Sequence, residues 1–282
     1  MKITIIIPAY NEEAFIAKTL QSLVEQTFLP NRIIIVNDNS IDETQKIVDC
    51  FSEKYSYITS ITTTAAANHE PGSKVITAFN EGLKIADADF DVICKFDADL
   101  IFPKNYLEEI LNIFDQNFKC GMAGGFCYVQ KNGNWVLENL TNKDHIRGAL
   151  KAYRKECFDE IGGLKSTMGW DTVDELLAQY HGWQIITIET LQVKHLKPTG
   201  KNYTNASKLK QGEAFYKLRY GFLLTLIATS KLAVRKKSFR YFKDTLKGYL
   251  YAKDKNSPFM VSENEGKFIR ELRWKGIKKK LL

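Results

Sequence analysis

Apolar positions in the first hundred residues fall into two periodicities that take turns. Lys2 to Pro8 (KITIIIP) is a β-branched run too short for a helix, and Ile16, Leu20, Leu23 and Val24 follow at helical spacing behind Asn11, a residue type suited to a helix cap. Arg32 to Val36 (RIIIV) is a second strand. Ser40, Ile41, Asp42 and Glu43 then read as a capping box that opens a helix with Ile47 and Val48 inside. A third strand near Tyr57 to Ile61, a helix from about Ser73 to Ile85 and a fourth strand, Asp91 to Phe96, continue the alternation. Continuous apolar strands alternating with helices predict an α/β fold whose sheet is mainly parallel and covered by helices on both faces. Beyond Pro103 the order loosens into a helix to about Asn117, a strand from Gly121 to Gln130 ending at the Asn132-Gly133 turn, a helical stretch near Arg154 to Ile161, a helix from Asp171 to His181 and a strand from Trp183 to Glu189.

Charge divides the chain. Of 282 residues, 40 are Lys or Arg and 33 are Asp or Glu, a net +7. From Lys201 onward there are 21 basic and 6 acidic side chains, +15, which leaves −8 for residues 1–200. A boundary near Lys201 is therefore expected, between an acidic domain, 1–200, and a basic helical extension, 201–282. The longest uncharged apolar stretch, Gly221 to Ser230, has ten residues against the roughly 20 that a spanning helix needs. The N-terminal run leads straight into Asn11, Glu12 and Glu13 and reads as a strand rather than a leader, so a cytoplasmic location is expected. Five cysteines without a Cys-x-x-Cys pair read as reduced packing residues, not a disulfide frame or a zinc site.

In parallel sheets, ligands bind beyond the carboxyl ends of the strands, which singles out three loops. Asp97-Ala98-Asp99 puts two carboxylates at one strand end, an arrangement unfavourable unless a cation neutralises it; a hard divalent ion with oxygen ligands suits the pair. Pro8-Ala9-Tyr10-Asn11-Glu12 and Asn37-Asp38-Asn39-Ser40 close two further strands with polar groups suited to a nucleotide. Asp38 is fit to accept hydrogen bonds from a base or ribose, or to serve as a turn carboxylate. Walker A, Gly-x-Gly-x-x-Gly, Gly-x-Ser-x-Gly and His-Glu-x-x-His motifs are all missing, which leaves P-loop, dinucleotide, serine-hydrolase and zincin readings without an anchor.

The order PAYNEE, VNDNSIDET, FDAD resembles a family 2 glycosyltransferase of the GT-A fold, over roughly Met1 to Gly200. That resemblance implies an inverting, Mg²⁺- or Mn²⁺-dependent transfer of a sugar from a nucleoside-diphosphate sugar, a UDP-sugar being favoured, to a hydroxyl of a glycan or glycolipid in surface polysaccharide assembly. It assigns Pro8, Ala9, Tyr10 and Glu12 to the nucleotide pocket, Asp38 to the base, Asp97 to the donor ribose or sugar and Asp99 to the metal. His195 would complete the metal coordination or contact the diphosphate, with Lys197 as a phosphate contact. Lys74, behind Pro71-Gly72-Ser73 at a helix start, would meet the diphosphate. The segment Thr62 to Asn68 lacks the Arg that many relatives carry there. Within Gly169 to Glu175, counting back from Gly182 selects Asp171 as the base that deprotonates the acceptor, whereas the acidic pair selects Asp174 or Glu175. Trp170 would supply an acceptor platform and Arg147 an acceptor contact.

The extension carries its own expectation. Leu218 to Arg235 sets Leu218, Phe222, Leu223, Leu226, Ile227 and Ala233 against Thr225, Thr229 and Ser230, with cations at both ends, the pattern of a helix lying in a membrane surface. Anionic lipid on the inner face of the cell membrane is the partner that this predicts; nucleic acid is not, because no reading motif accompanies the charge. The competing functions are a GT-A-like sugar nucleotidyltransferase, whose Gly-rich, Arg-containing N-terminal loop has no counterpart after Lys2 to Pro8, and a non-catalytic binding module recruited to membrane.

Overall fold

The computed structural model describes residues 1–63, 74–138, 142–197 and 205–281. Two compact units divide these residues: one holds those up to Leu164 together with 181–197, the other joins Lys165–Tyr180 to the C-terminal helices.

The first unit is built on a mixed nine-stranded sheet in the order β3-β2-β1-β4-β8-β6-β9-β5, with β7 paired to β6. Its parallel core comprises β1 (Ile3–Ala9), β2 (Arg32–Asn37), β3 (Ile58–Thr62) and β4 (Val92–Phe96). Ile3, Ile5, Ile6, Ile7 and residues 33–36 are wholly buried, as strands covered on both faces require, and each such side chain contributes about 1.5–3 kcal/mol. Pro8 lies beyond the last β1–β4 pair, Ile6 with Lys95, where a missing N–H is tolerated. The antiparallel β8 (Leu150–Arg154) follows on β4, then β6 (Cys120–Lys131), β9 (Gln184–His195) and the short β5 (Leu100–Ile101). The Asn132-Gly133 turn, both residues at positive φ (50° and 81°), folds β6 back into β7 (Asn134–Leu137).

Helices α1 (Ile16–Val24), α2 (Thr44–Lys54), α3 (Lys74–Ile85), α4 (Tyr106–Gln116) and α5 (Lys155–Glu160) complete this unit. Helix α3 lies close against β1 and β2 because Gly82 has no side chain: a Cβ there would sit 2.7 Å from Ile6 and 2.8 Å from Val36. Two capping expectations give way. Helix α1 begins at Ile16 rather than behind Asn11, and α2 begins at Thr44 rather than behind Ser40. Asn11 (φ 53°) and Ser40 instead bond across the two loops: Asn11 N–H donates to Ser40 Oγ, and Ile41 N–H donates to Asn11 Oδ1, each at 2.9 Å. Asp42, not Ser40, meets the start of α2, its Oδ1 accepting from Thr44 N–H at 3.1 Å.

The second unit is helical: α6 (Trp170–Tyr180), α7 (Asn205–Lys217), α8 (Phe222–Arg235), α9 (Phe239–Asp254) and α10 (Glu263–Leu281). Helices α7 and α9 meet at Gly212 and Gly248, where added Cβ atoms would lie 1.8 Å from the Thr245 carbonyl and 2.0 Å from the Leu209 carbonyl. The helix expected over 218–235 starts four residues late, because Arg219 (φ 55°) and Gly221 (φ 75°) turn the chain between α7 and α8. Its apolar set is divided: Ala233 is buried and Leu226 and Ile227 are half-buried. Thr225 and Thr229 are inside, while Phe222 and Leu223 are 51% and 57% exposed. No described helix is long and apolar enough to cross a membrane.

Candidate active site

The carboxyl ends of β2, β1 and β4 lie side by side, so the three loops singled out in the sequence become neighbours. Asn37 is buried and structural: its amide donates to Gln45 Oε1 (2.7 Å) and its Oδ1 accepts from Ser40 N–H (2.9 Å). Asp38 is half-buried. Its N–H donates to the Ala9 carbonyl at 2.8 Å and its Oδ1 accepts from the Thr63 hydroxyl at 2.7 Å, which leaves its carboxylate at the mouth of the β1–β2 crevice. Beside it Ala9 is buried, Pro8 half-buried and Tyr10 54% exposed, so the phenol is a ring at the surface of that crevice.

Helix α1 holds the acidic loop from behind. The Thr19 hydroxyl donates to the Ala98 carbonyl (2.7 Å) and accepts from Leu100 N–H (3.0 Å), and Ser22 Oγ accepts from Phe102 N–H (3.1 Å). These buried polar residues fix the backbone on both sides of Asp99. Asp97 pairs with Lys95, whose ammonium is almost wholly buried and also donates to the Gly148 carbonyl at 3.0 Å. Glu12 joins the cluster through Lys197, Nζ to Oε1 2.9 Å. Burial holds the Glu12 carboxyl above the usual range; Lys197 opposes that shift, and the charges of Asp99 and Asp97 reinforce it.

His195 reaches Asp99 through sheet register. It pairs with Leu100 across β5–β9, Leu196 N–H donates to the Asp99 carbonyl at 2.9 Å, and His195 Nε2 lies 3.4 Å from Asp99 Oδ2. Its other nitrogen, Nδ1, is 2.9 Å from Glu138 Oε2, and the same oxygen accepts from Arg147 Nη1 at 2.9 Å. Burial by itself would lower the His195 pKa; the bonds to Asp99 and Glu138 outweigh it and raise the ring to about 9. The Cys127 thiol lies in the same group, its ligand atom and those of Glu138 and His195 all within 4.8 Å of one another. Burial pushes the Cys127 thiol up to about 12.

Two oxygens bear on a cation. Asp99 Oδ1 and Glu12 Oε2 are buried and, among the described residues, have no hydrogen-bond partner. A buried carboxylate oxygen left unpaired is costly unless something positive meets it. Asp99 and the Nε2 of His195 are the oxygen and nitrogen donors that a Mg²⁺ or Mn²⁺ ion accepts, so these residues fit a divalent metal.

Lys74 is the first residue of α3 and half-buried; residues 64–73 before it, with the expected Gly-rich turn, lie outside the described residues, as do Pro198, Thr199 and Gly200. Trp170 and Asp171 occupy the first turn of α6, behind Gly169 at φ 74°. Asp171 therefore lies inside the helix rather than at its cap. Asp171 is half-buried, whereas Asp174 and Glu175 are buried, Asp174 Oδ1 accepting from Glu175 N–H at 2.7 Å. Arg147, expected at the acceptor, has its guanidinium on Glu138. Glu138 itself was not legible: a single Glu behind a hairpin strand has no local signature, and its partner His195 is 57 residues away.

A mixed sheet whose parallel strands end on neighbouring polar loops and an Asp-Ala-Asp turn has the architecture of a GT-A α/β protein. The model for glycosyl transferase family 2 matches residues 4–167, and the chain belongs to that family. It is similar to the probable glycosyltransferase YdaM of Bacillus subtilis, 42% identical over 202 residues, which are 63% of this chain and 44% of that one. The chain spans about half the length of the curated relatives it matches. Among solved structures it resembles S. aureus TarS 1-349 in complex with UDP-GlcNAc (TM-score 0.60, 19% identity, 80% of this chain and 66% of that one). It also resembles the mannosyltransferase PcManGT of Pyrobaculum calidifontis in complex with GDP-Man and Mn2+ (TM-score 0.56, 15% identity, 100% of this chain and 81% of that one). Both likenesses are of fold.

Proposed function

We propose that this chain is an inverting, divalent-metal-dependent glycosyltransferase that moves a sugar from a nucleoside-diphosphate sugar to a hydroxyl of a glycan or glycolipid. The observation that carries the proposal is the unpaired, buried Asp99 Oδ1 beside His195 Nε2, at the end of a strand whose neighbours carry Glu12 and Asp38. Asp99 and His195 would hold Mg²⁺ or Mn²⁺, which when bound supplies a Lewis acid for the departing diphosphate. Asp38 binds the base, with uracil favoured, and Pro8, Ala9 and Tyr10 line its pocket. Lys95 holds Asp97 in place for the donor ribose or sugar, and Lys74 and Lys197 offer positive charge to the phosphates. Family membership and the bound nucleotide sugars of the structures it resembles support this reading of the donor.

Inversion asks for a single displacement: the acceptor oxygen bonds to the anomeric carbon as the bond from that carbon to the phosphate oxygen breaks, and the hydroxyl proton passes to a carboxylate. Asp171 is the proposed base. It is the most accessible carboxylate of its helix, while Asp174, the alternative, is buried and occupied by Glu175 N–H. Trp170, the residue expected to offer the acceptor an apolar surface, is buried at 6% exposure. Release of nucleoside diphosphate from a panel of UDP- and GDP-sugars, with acceptor and Mn²⁺, tests the proposal. Turnover is expected to stop on chelation and in Asp99→Asn, and Asp171→Asn is expected to bind donor without turnover. No turnover with any donor contradicts the function, and an active Asp171→Asn contradicts the base.

Phe222 and Leu223 on α8 and Phe239 and Tyr251 on α9 are more than half exposed, among the cations Lys231, Arg235, Arg240 and Lys247. Exposed apolar side chains and exposed cations on the same two helices suit the surface of an anionic membrane, peripheral binding at its inner face being the proposed location.

A further inference from the structure

We propose that Glu138 is a positioning residue for the metal site: through Nδ1 it fixes the ring of His195 so that Nε2 faces Asp99 as an electron-pair donor. The inference rests on reading Asp99 and His195 as the metal ligands. A ligating imidazole must keep its proton on the nitrogen away from the ion, and the partner of that nitrogen decides where the proton stays. Here the partner is a carboxylate, acceptor only, at 2.9 Å from Nδ1.

Three constraints bring Glu138 and His195 together. The β6–β7 hairpin runs one bond past Leu137, Glu138 N–H donating to the Cys127 carbonyl at 2.9 Å, which lays Glu138 beside Cys127. The β6–β9 register pairs Cys127 with Val193 and Val129 with His195, so the far end of β9 delivers the imidazole to the same place. Arg147 then binds the oxygen that His195 uses, with only 13% of its side chain exposed and 6% of that of Glu138. A salt bridge so enclosed holds the Glu138 carboxylate still. The oxygen that accepts from Arg147 is placed to accept from Nδ1 as well, and a tautomer with its proton on Nε2 would leave Nδ1 facing that oxygen without a hydrogen. Arg147 therefore acts three steps from the ion, through Glu138 and His195.

The Glu138→Gln variant is the discriminating one. Glutamine keeps the shape and an oxygen that Arg147 and Nδ1 can share, but without the charge that oxygen is a weaker acceptor and holds the proton on Nδ1 less firmly. Two readouts follow: Mn²⁺ affinity by electron paramagnetic resonance, and the ¹⁵N signature of the His195 ring in the Mg²⁺-loaded protein, assigned among the four histidines with His195→Gln. Wild type is expected to bind Mn²⁺ and to carry its ring proton on Nδ1. Glu138→Gln is expected to lose about 10- to 100-fold in affinity and to show a second, Nε2-protonated population. Wild-type affinity and a single Nδ1-protonated ring in Glu138→Gln overturn the role of Glu138 while leaving the metal site standing. Failure of wild type to bind Mn²⁺ overturns the metal site as well. Should the variant not fold, an Nε2-protonated ring in Mg²⁺-loaded wild type is sufficient to overturn the proposal.

Discussion

Glu12, Asp97 and Asp99 lie close enough for their charges to act on one another, and the chain answers them with Lys197, Lys95 and His195. Without metal, His195 is the cation between Asp99 and Glu138, with its pKa raised from 6.5 to about 9. A raised pKa means that the folded state holds the proton more tightly than the unfolded chain does. The stabilisation is therefore complete below about pH 6.5 and is lost as pH rises through about 9. Melting temperatures of chelator-treated wild type and His195→Gln, followed from about pH 6 to about pH 10, should differ most at the acid end and converge at the alkaline end. A difference that does not change with pH contradicts this picture. At this scale the sequence was informative where chemistry is contiguous: Asp38, Asp97, Asp99 and Glu12 each follow a strand directly. Glu138 was not legible, because its role depends on a hairpin register and a strand register meeting at Cys127.

Helix α1 shows how one element serves a site to which it contributes no charge. Its apolar stripe, Ile16, Leu20 and Leu23, was plain from spacing, but Thr19 and Ser22, buried with it, bind the acidic loop. Thr19→Val keeps the shape and leaves the Leu100 N–H and the Ala98 carbonyl unpaired in the interior. The expected cost is about 1–3 kcal/mol in chemical denaturation, with weaker metal binding as Asp99 loosens. Unchanged stability and unchanged Mn²⁺ affinity would show that the loop does not depend on α1. The same limit explains the capping residues. Asn11 and Ser40 have the right chemistry for helix starts, yet each finds a better partner in the neighbouring loop, information that is absent from either segment alone. For α8 the apolar set is visible in the spacing but its division is not: Phe222 and Leu223 are exposed, while Ala233 packs inside with Thr225 and Thr229, small side chains that fit there.

At the scale of the whole molecule, the division of charge and the division of structure do not fall at one point. Residues from Lys201 onward carry +15, and the helical unit that includes them also takes in α6, with Trp170 and Asp171. A shift in charge along the chain marks the basic helices, but only the packed structure assigns α6 to them. Each Lys or Arg near anionic lipid contributes about 1 kcal/mol. The full chain is therefore expected to sediment with phosphatidylglycerol vesicles at low salt and to be released at high salt, and absence of binding at low salt contradicts a membrane role. The central claim is that Asp99 and His195 hold a divalent metal through which a nucleotide sugar binds. Calorimetric titration with UDP and GDP, with and without Mn²⁺, tests it most directly. Binding of one nucleotide that needs Mn²⁺ and disappears in a folded Asp99→Asn variant is the result predicted; nucleotide binding that is indifferent to Mn²⁺ and to that substitution would contradict it.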